Sequence, residues 1–327
     1  MGGLRLGVDV GYGHTKALSS TGVSVLFPSA VGLADAQHFR LEFNGRPSVV
    51  TRGGTVQFDG ASYLYGEPAL RHARTVVHPR DRRWIESRPY RILWHAVLES
   101  LVVPGMVPRI VTGLPVSFYP DRERLHNVVC ALLRDRGISD AQVTVVPQPF
   151  GSFFDSVFDP HGHVQDEVQA LAHVGIVDVG YFTTDLVEVN DLEFVQKGSG
   201  SIEVGVATVL DTLRRVIAEE LARPLDAQEA EQVLRDRCLK VKEHMHDLGG
   251  LCDLAVREAA TAVAAYVRQL WSGAEGLDRL LLTGGGGMVF QPFLQAEFPE
   301  LMLAPAPVLA NARGFLQYAL YCERHVA

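Results

Sequence analysis

Two segments of this sequence offer the same chemistry twice. Val8-Asp9-Val10-Gly11-Tyr12 recurs as Val177-Asp178-Val179-Gly180-Tyr181, 169 residues later, and each copy runs from an apolar stretch through a polar turn and back into apolar residues. A tight turn whose successive backbone N–H groups converge on one point is a site for negative phosphates, and glycine lets that backbone come close to them. Gly11-Tyr12-Gly13-His14-Thr15 and Gly180-Tyr181-Phe182-Thr183-Thr184 can each form such a turn. Asp9 and Asp178 stand just before the turns, where a bare carboxylate would repel phosphate, so a hydrated Mg²⁺ is the natural intermediary. Lys16 adds a positive charge directly. One copy alone reads as an ordinary tight β-turn; two matching copies imply two related half-molecules.

A third segment, Leu280-Leu281-Leu282-Thr283-Gly284-Gly285-Gly286-Gly287, is an apolar strand ending in a loop without side chains, which a flat adenine or ribose could approach closely. Other candidates are weaker. His161 with His163 and His244 with His246 are i,i+2 pairs without further ligand spacing and are assigned to loops and surfaces. GxxxxGK[ST], GxSxG, HExxH and GxGxxG are all absent, which removes the P-loop, hydrolase-elbow, zincin and Rossmann readings.

The elements that position these residues read as α/β. Each repeat copy predicts a β-hairpin, resuming as Thr15-Lys16-Ala17-Leu18 or Thr184-Asp185-Leu186-Val187. Helical spacing of apolar residues predicts helices over 121–136, about 203–221 and 253–271, and Asp226 with Glu229 reads as a capping box opening a further one. Residues 19–90 instead contain short apolar runs broken by Asn44-Gly45, Gly53-Gly54 and Asp59-Gly60, each a turn signal, and are expected to form a small strand-rich subdomain. Polar residues around His161 and His163 mark the expected crossing between domains.

At 327 residues the chain exceeds what one core organises, and 47% hydrophobic with 21% charged residues supplies two packed cores. A net charge of −8 disfavours broad attraction to a nucleic-acid backbone, so any link to DNA should run through an adaptor. The basic stretch Arg71, His72, Arg74, His78, Arg80, Arg82, Arg83, Arg88 and Arg91, interleaved with Trp84 and Tyr90, is read as a solvated face or subunit contact. Four cysteines without metal or disulfide spacing fit a cytoplasmic protein, and neither a signal peptide nor a membrane-spanning run is expected.

LGVDVGYGHTKAL, GIVDVGYFTTDLVEV and LLLTGGGG resemble, in order and spacing, the phosphate 1, phosphate 2 and adenosine motifs of the actin, Hsp70 and sugar-kinase superfamily. VTGLPVSFY and the ending Ala310-Asn311-Ala312-Arg313-Gly314-Phe315 look most like the ParM/StbA-type plasmid-segregation actins. The resemblance implies a two-domain actin-like fold of duplicated ribonuclease-H-like domains, domain I at 1–160 with the insertion at about 19–90 and domain II at 161–310, and a C-terminal helix at about 311–327 returning to domain I. It implies that ATP or GTP with Mg²⁺ is bound by Gly11, Tyr12, Gly13, His14, Thr15 and Lys16, by Gly180, Tyr181, Phe182 and Thr183, and by Gly284, Gly285, Gly286 and Gly287, with Asp9 and Asp178 holding the metal through water. Gln148 falls where the superfamily places the side chain that orients the attacking water. ParM usually has glutamate there, whereas glutamine looks like actin itself; an amide is no effective base near neutral pH, so slow hydrolysis governed by positioning is expected. Self-association into filaments for plasmid or DNA segregation is the implied biology. A small-molecule kinase, for which Asp155 is the nearby carboxylate, and a non-polymerising ATP-dependent switch remain as alternatives.

Overall fold

The structure is a computed structural model and describes residues 3–34, 50–76 and 82–325. It divides into two compact units, residues 1–171 with 309–327, and residues 172–308.

In the first unit, β1 (Leu4–Val10) is buried at all seven positions, Arg5 and Asp9 included, as a central strand covered on both faces. It is followed by β2 (His14–Ser19), β3 (Ser24–Pro28), β4 (Val31–Leu33), β5 (Val50–Thr51), β6 (Gly53–Phe58), β7 (Ala61–Gly66), β8 (Pro108–Leu114) and β9 (Gln142–Pro147). The main sheet has the order β5-β3-β2-β1-β8-β9: β3, β2 and β1 form an antiparallel meander, while β1, β8 and β9 run parallel. The carboxyl ends of those parallel strands therefore lie together, the edge at which open α/β sheets place ligands.

The helices of this unit are α1 (Glu67–His72), α2 (Arg88–Leu101), α3 (Arg122–Arg134), α4 (Phe150–Val157) and the single turn α5 (Glu167–Ala170). Helix α3 matches the helix expected over 121–136, burying Leu125, Val128, Val129, Leu132 and Leu133 at helical spacing. Helix α2 buries Ile92, Leu93, Trp94, Val97 and Leu98 in the same core.

Within the stretch expected as an inserted subdomain, Ser24–Pro28 runs in the main sheet as β3, because its alternating burial matches the meander. The separate sheet is β4-β7-β6. Asp59-Gly60 makes its hairpin turn, with φ of 48° and 75°, the two positive values that a tight two-residue loop demands. Gly53-Gly54 is not a turn: it opens β6, where a side chain at Gly53 would overlap the Tyr65 carbonyl, so the glycine serves close strand approach. Asn44-Gly45 lies outside the described residues.

The second unit repeats the plan. Its strands are β10 (Val174–Val179), β11 (Thr184–Asn190), β12 (Glu193–Phe194), β13 (Gly200–Ile202), β14 (Cys238–Val241), β15 (His244–Asp247), β16 (Arg279–Thr283) and β17 (Leu301–Leu303). The sheet order β12-β11-β10-β16-β17 is again an antiparallel pair beside parallel strands, so the repeated sequence is a repeated topology. Helices α6 (Val206–Leu221), α7 (Ala227–Asp236), α8 (Gly249–Trp271) and α9 (Gly287–Glu297) complete it. The expected capping box is present at α7, where Asp226 accepts from the Glu229 N–H at 2.8 Å and Glu229 accepts from the Asp226 N–H at 3.1 Å. Alanines 255, 259, 260 and 264 let α8 pack closely in the second core.

The last helix, α10 (Pro307–His325), belongs to the first unit from Leu309 onward. There α10 crosses α4 at Gly314 and Gly151, so closely that a Cβ on Gly314 would overlap the Gly151 carbonyl. Gly314→Ala is accordingly expected to destabilise the first unit by about 3 kcal/mol; an unchanged urea midpoint would show that the helices separate without cost.

The basic stretch loses its interleaved aromatics to the interior. Trp84 and Tyr90 are 3% and 2% exposed, Trp84 stacking on Tyr12 at 6.0 Å, which leaves neither ring for a nucleic-acid base. His78 and Arg80 lie outside the described residues. Among the described residues no helix is long and apolar enough to cross a membrane.

Candidate functional site

The first hairpin is closed by the Gly11 N–H donating to the His14 carbonyl at 3.1 Å, and the second by the Gly180 N–H donating to the Thr183 carbonyl at 2.8 Å. Both turns thus have the same four-residue construction, Gly11-Tyr12-Gly13-His14 and Gly180-Tyr181-Phe182-Thr183, and the same place at the carboxyl end of the central strand. The carboxylates just before them are almost fully enclosed, Asp9 at 2% and Asp178 at 4% exposure.

In the first unit the register sets Asp9 opposite Lys16. The Lys16 ammonium donates to Asp9 Oδ2 at 2.8 Å, and the Gln148 amide donates to Asp9 Oδ1 at 2.9 Å. Gln148 reaches this position because β9 ends at Pro147 and the Gln148 N–H donates to the Leu114 carbonyl at the end of β8, 2.7 Å away. Ser29 steadies the turn from below, donating to the Gly11 carbonyl and bonded to the Thr15 hydroxyl at 2.9 Å. His14, at the tip, has an exposed side chain, yet protein crowding the hairpin and, after it, the Lys16 ammonium lower its pKa to about 4. Solvent reaching the ring weakens the first contribution while the Lys16 charge keeps the sign, so the imidazole is neutral at physiological pH.

In the second unit the duplication departs from symmetry. The residue opposite Asp178 is Asp185, itself 4% exposed, where the first copy has Lys16. Asp185 accepts from the Thr183 hydroxyl at 3.0 Å and from the Ser201 hydroxyl, so its buried oxygens are satisfied by neutral donors. The carbonyls of Gly180 and Tyr181 accept from the N–H groups of Val206 and Ala207, which seats the N-terminus of α6 directly against the turn. Helix α6 is the helix expected over about 203–221, but its seat against the turn and the role of Asp185 were not read from sequence; Gly205, where a Cβ would sit 2.7 Å from the Gly180 carbonyl, marks the close approach.

The glycine loop is brought to this same turn. β16 runs parallel to β10 with Thr283 beside Asp178, and the Gly286 N–H donates to the Val179 carbonyl at 2.8 Å. Gly284 has φ 88°, and a Cβ there would overlap Asp178 Oδ1, so only glycine fits. A Cβ on Gly285 would meet nothing within 4 Å, leaving an open approach, and Gly287 begins α9.

In each unit the turn and the buried carboxylate before it suit a phosphate with a hydrated Mg²⁺, and the first unit adds the Lys16 ammonium. Among the described residues no three His, Cys, Asp or Glu side chains converge on one point.

The family of actin-like proteins, N-terminal domain, matches residues 7–151, and the C-terminal domain of archaeal MreB-like actin homologues matches residues 176–296. The chain belongs to the actin-like proteins. An archaeal actin homologue of Thermoplasma acidophilum is 27% identical, over 95% of this chain and 97% of its own. Among solved structures, a 15-stranded ParM filament from Clostridium botulinum superposes on this actin-like protein with a TM-score of 0.78 at 20% identity, covering 98% of this chain and 99% of that one. The crystal structure of an archaeal actin homolog in complex with ADP does so with a TM-score of 0.74 at 20% identity and the same coverage. The actin-like α/β fold with two domains is thereby shown.

Outside the hairpins, Asp155 is chelated by the Arg313 guanidinium within the first unit. Burial pushes its carboxyl up while Arg313 pulls it back.

Proposed function

We propose that this actin-like protein is a slow hydrolase of ATP (or GTP) with Mg²⁺ whose turnover accompanies assembly into filaments. The observation that carries the reading is the twofold construction of the turn, a Gly N–H closed onto the carbonyl three residues on, two residues after a buried aspartate. Gly11 to Lys16 and Gly180 to Thr183 would hold phosphates, Asp9 and Asp178 would hold Mg²⁺ through water, and Gly284 to Gly287 would lie against the adenosine. Bound Mg²⁺ would neutralise charge on the β- and γ-phosphates. Gln148, by donating to Asp9, directs its carbonyl oxygen away from that carboxylate and so offers an acceptor that orients water without removing its proton. The neighbour solved with ADP supports a nucleotide, and the ParM neighbour solved as a filament supports self-association. Segregation of plasmid or other DNA through an adaptor is the setting that the ParM likeness suggests. The kinase alternative needs a carboxylate base, and Asp155 is committed to Arg313.

Light scattering and electron microscopy with Mg²⁺ and ATP, ADP or no nucleotide, with phosphate release followed in parallel, test the proposal. Filaments that form with ATP and decay as phosphate appears are expected; nucleotide binding without polymer at any concentration would turn the reading to a switch. Gln148→Ala is expected to slow turnover roughly ten- to hundredfold while leaving nucleotide affinity within about twofold. Lost affinity in that variant would remove Gln148 from the water-orienting role.

A further inference from the structure

Helix α4 starts at Phe150, two residues after Gln148, and its flanking residue Pro149 has no side-chain oxygen with which to cap the first turn. The cap comes from 159 residues away. Asn311 Oδ1, on α10, accepts from the Ser152 N–H at 3.0 Å and from the Ser152 hydroxyl at 2.7 Å, with both residues buried. Gly151 makes the approach possible, since a Cβ there would overlap the Asn311 backbone. Two residues on, Arg313 grips Asp155 in the last turn of the same helix.

The geometry points to Asn311 as a positioning residue for Gln148. The Gln148 carbonyl accepts from the Gly151 N–H at 3.0 Å, so Gln148 itself closes the first turn of α4. Its backbone is tied to β8 through Leu114 and its side chain to β1 through Asp9. Asn311 is the third tie, fixing the side of that turn that faces α10. Removing its oxygen takes the acceptor from two buried donors of Ser152, and the turn relaxes toward other partners. The Gln148 amide then leaves the orientation that Asp9 selects. A shift of well under an ångström suffices to slow a reaction governed by positioning. The inference rests on the water-orienting role proposed above for Gln148.

Asn311→Ala, Asn311→Asp and Ser152→Ala separate this role from simple loss of fold. Asn311→Ala is expected to lower single-turnover phosphate release about tenfold with nucleotide affinity within about twofold. Asn311→Asp keeps the acceptor at a helix N-terminus and is expected to recover most of that rate. Ser152→Ala, which keeps the N–H, is expected to fall between. The side-chain amide resonances of Gln148 should move in Asn311→Ala without nucleotide present. In a Gln148→Ala background, Asn311→Ala should cost nothing further, whereas general damage would slow both backgrounds alike. If Gln148→Ala slows turnover but Asn311→Ala leaves both the rate and the Gln148 resonances unchanged, the positioning role is wrong and Gln148 stands. If Gln148→Ala turns over normally, the reading of Gln148 fails first, and moved resonances alone would keep only the structural tie.

Discussion

Asp178→Ala is expected to reduce nucleotide hydrolysis about 10²–10³-fold, the loss typical when one fixed electrostatic contact to a transferring phosphoryl group is removed. The carboxylate is 4% exposed, immediately before the second turn, and Thr283 at the end of β16 lies beside it. The turn itself is closed by backbone atoms of Gly180 and Thr183, which this substitution leaves in place. Affinity for ADP without Mg²⁺ should therefore change little, while the Mg²⁺ dependence of ATP binding should flatten. Phosphate release with metal titration reads both quantities. Turnover within about threefold of wild type would take Asp178 out of the metal site.

Gly284→Val should be nearly as severe for a different reason. At φ 88° any L side chain is strained, and a Cβ at this position collides with Asp178 Oδ1 and the Val179 carbonyl. The loop must lift from β10 or the strand must shift, at a cost of about 3 kcal/mol or more. Nucleotide affinity should drop by at least about 10²-fold, because that cost falls on both the proposed adenosine loop and the second turn. Gly285→Ala is the companion variant. Its Cβ enters open space, so thermal stability should match wild type, and any loss of nucleotide affinity reports a ligand lying close to that backbone. Equal melting temperatures and equal affinities for Gly284→Val and wild type would overturn the packing argument.

Much of the frame was readable because it rests on local rules. The hairpins announced themselves through a repeated Asp-Val-Gly-Tyr with strand residues on both sides, and Leu280 to Thr283 before four glycines read as a buried strand entering a loop. Asp226 with Glu229 carried its own cap. What escaped depends on register or on distant partners. Asp185 becomes notable only when pairing sets it opposite Asp178, and sequence spacing alone does not reveal register. Asn311 caps a helix 159 residues away, beyond any window in which a capping pattern is sought. Gly53-Gly54 misled because paired glycines serve turns and close strand contacts equally. Trp84 and Tyr90 stand among arginines in sequence, but burying two large rings outweighs their charged neighbours, of which Arg83, Arg88 and Arg91 are exposed.

The return of α10 to the first unit imposes an order on synthesis. Residues 172–308 form a contiguous unit and can fold as soon as they clear the ribosome. The first unit, although it is made earlier, lacks Asn311, Arg313 and the Gly314 crossing until that whole stretch has been translated. At 5–20 residues per second the delay is roughly 7–28 s. For that interval the nascent chain carries a turn at Gln148 with no cap on the helix behind it. A growing chain thus carries both hairpin turns well before Asn311 is available to cap α4.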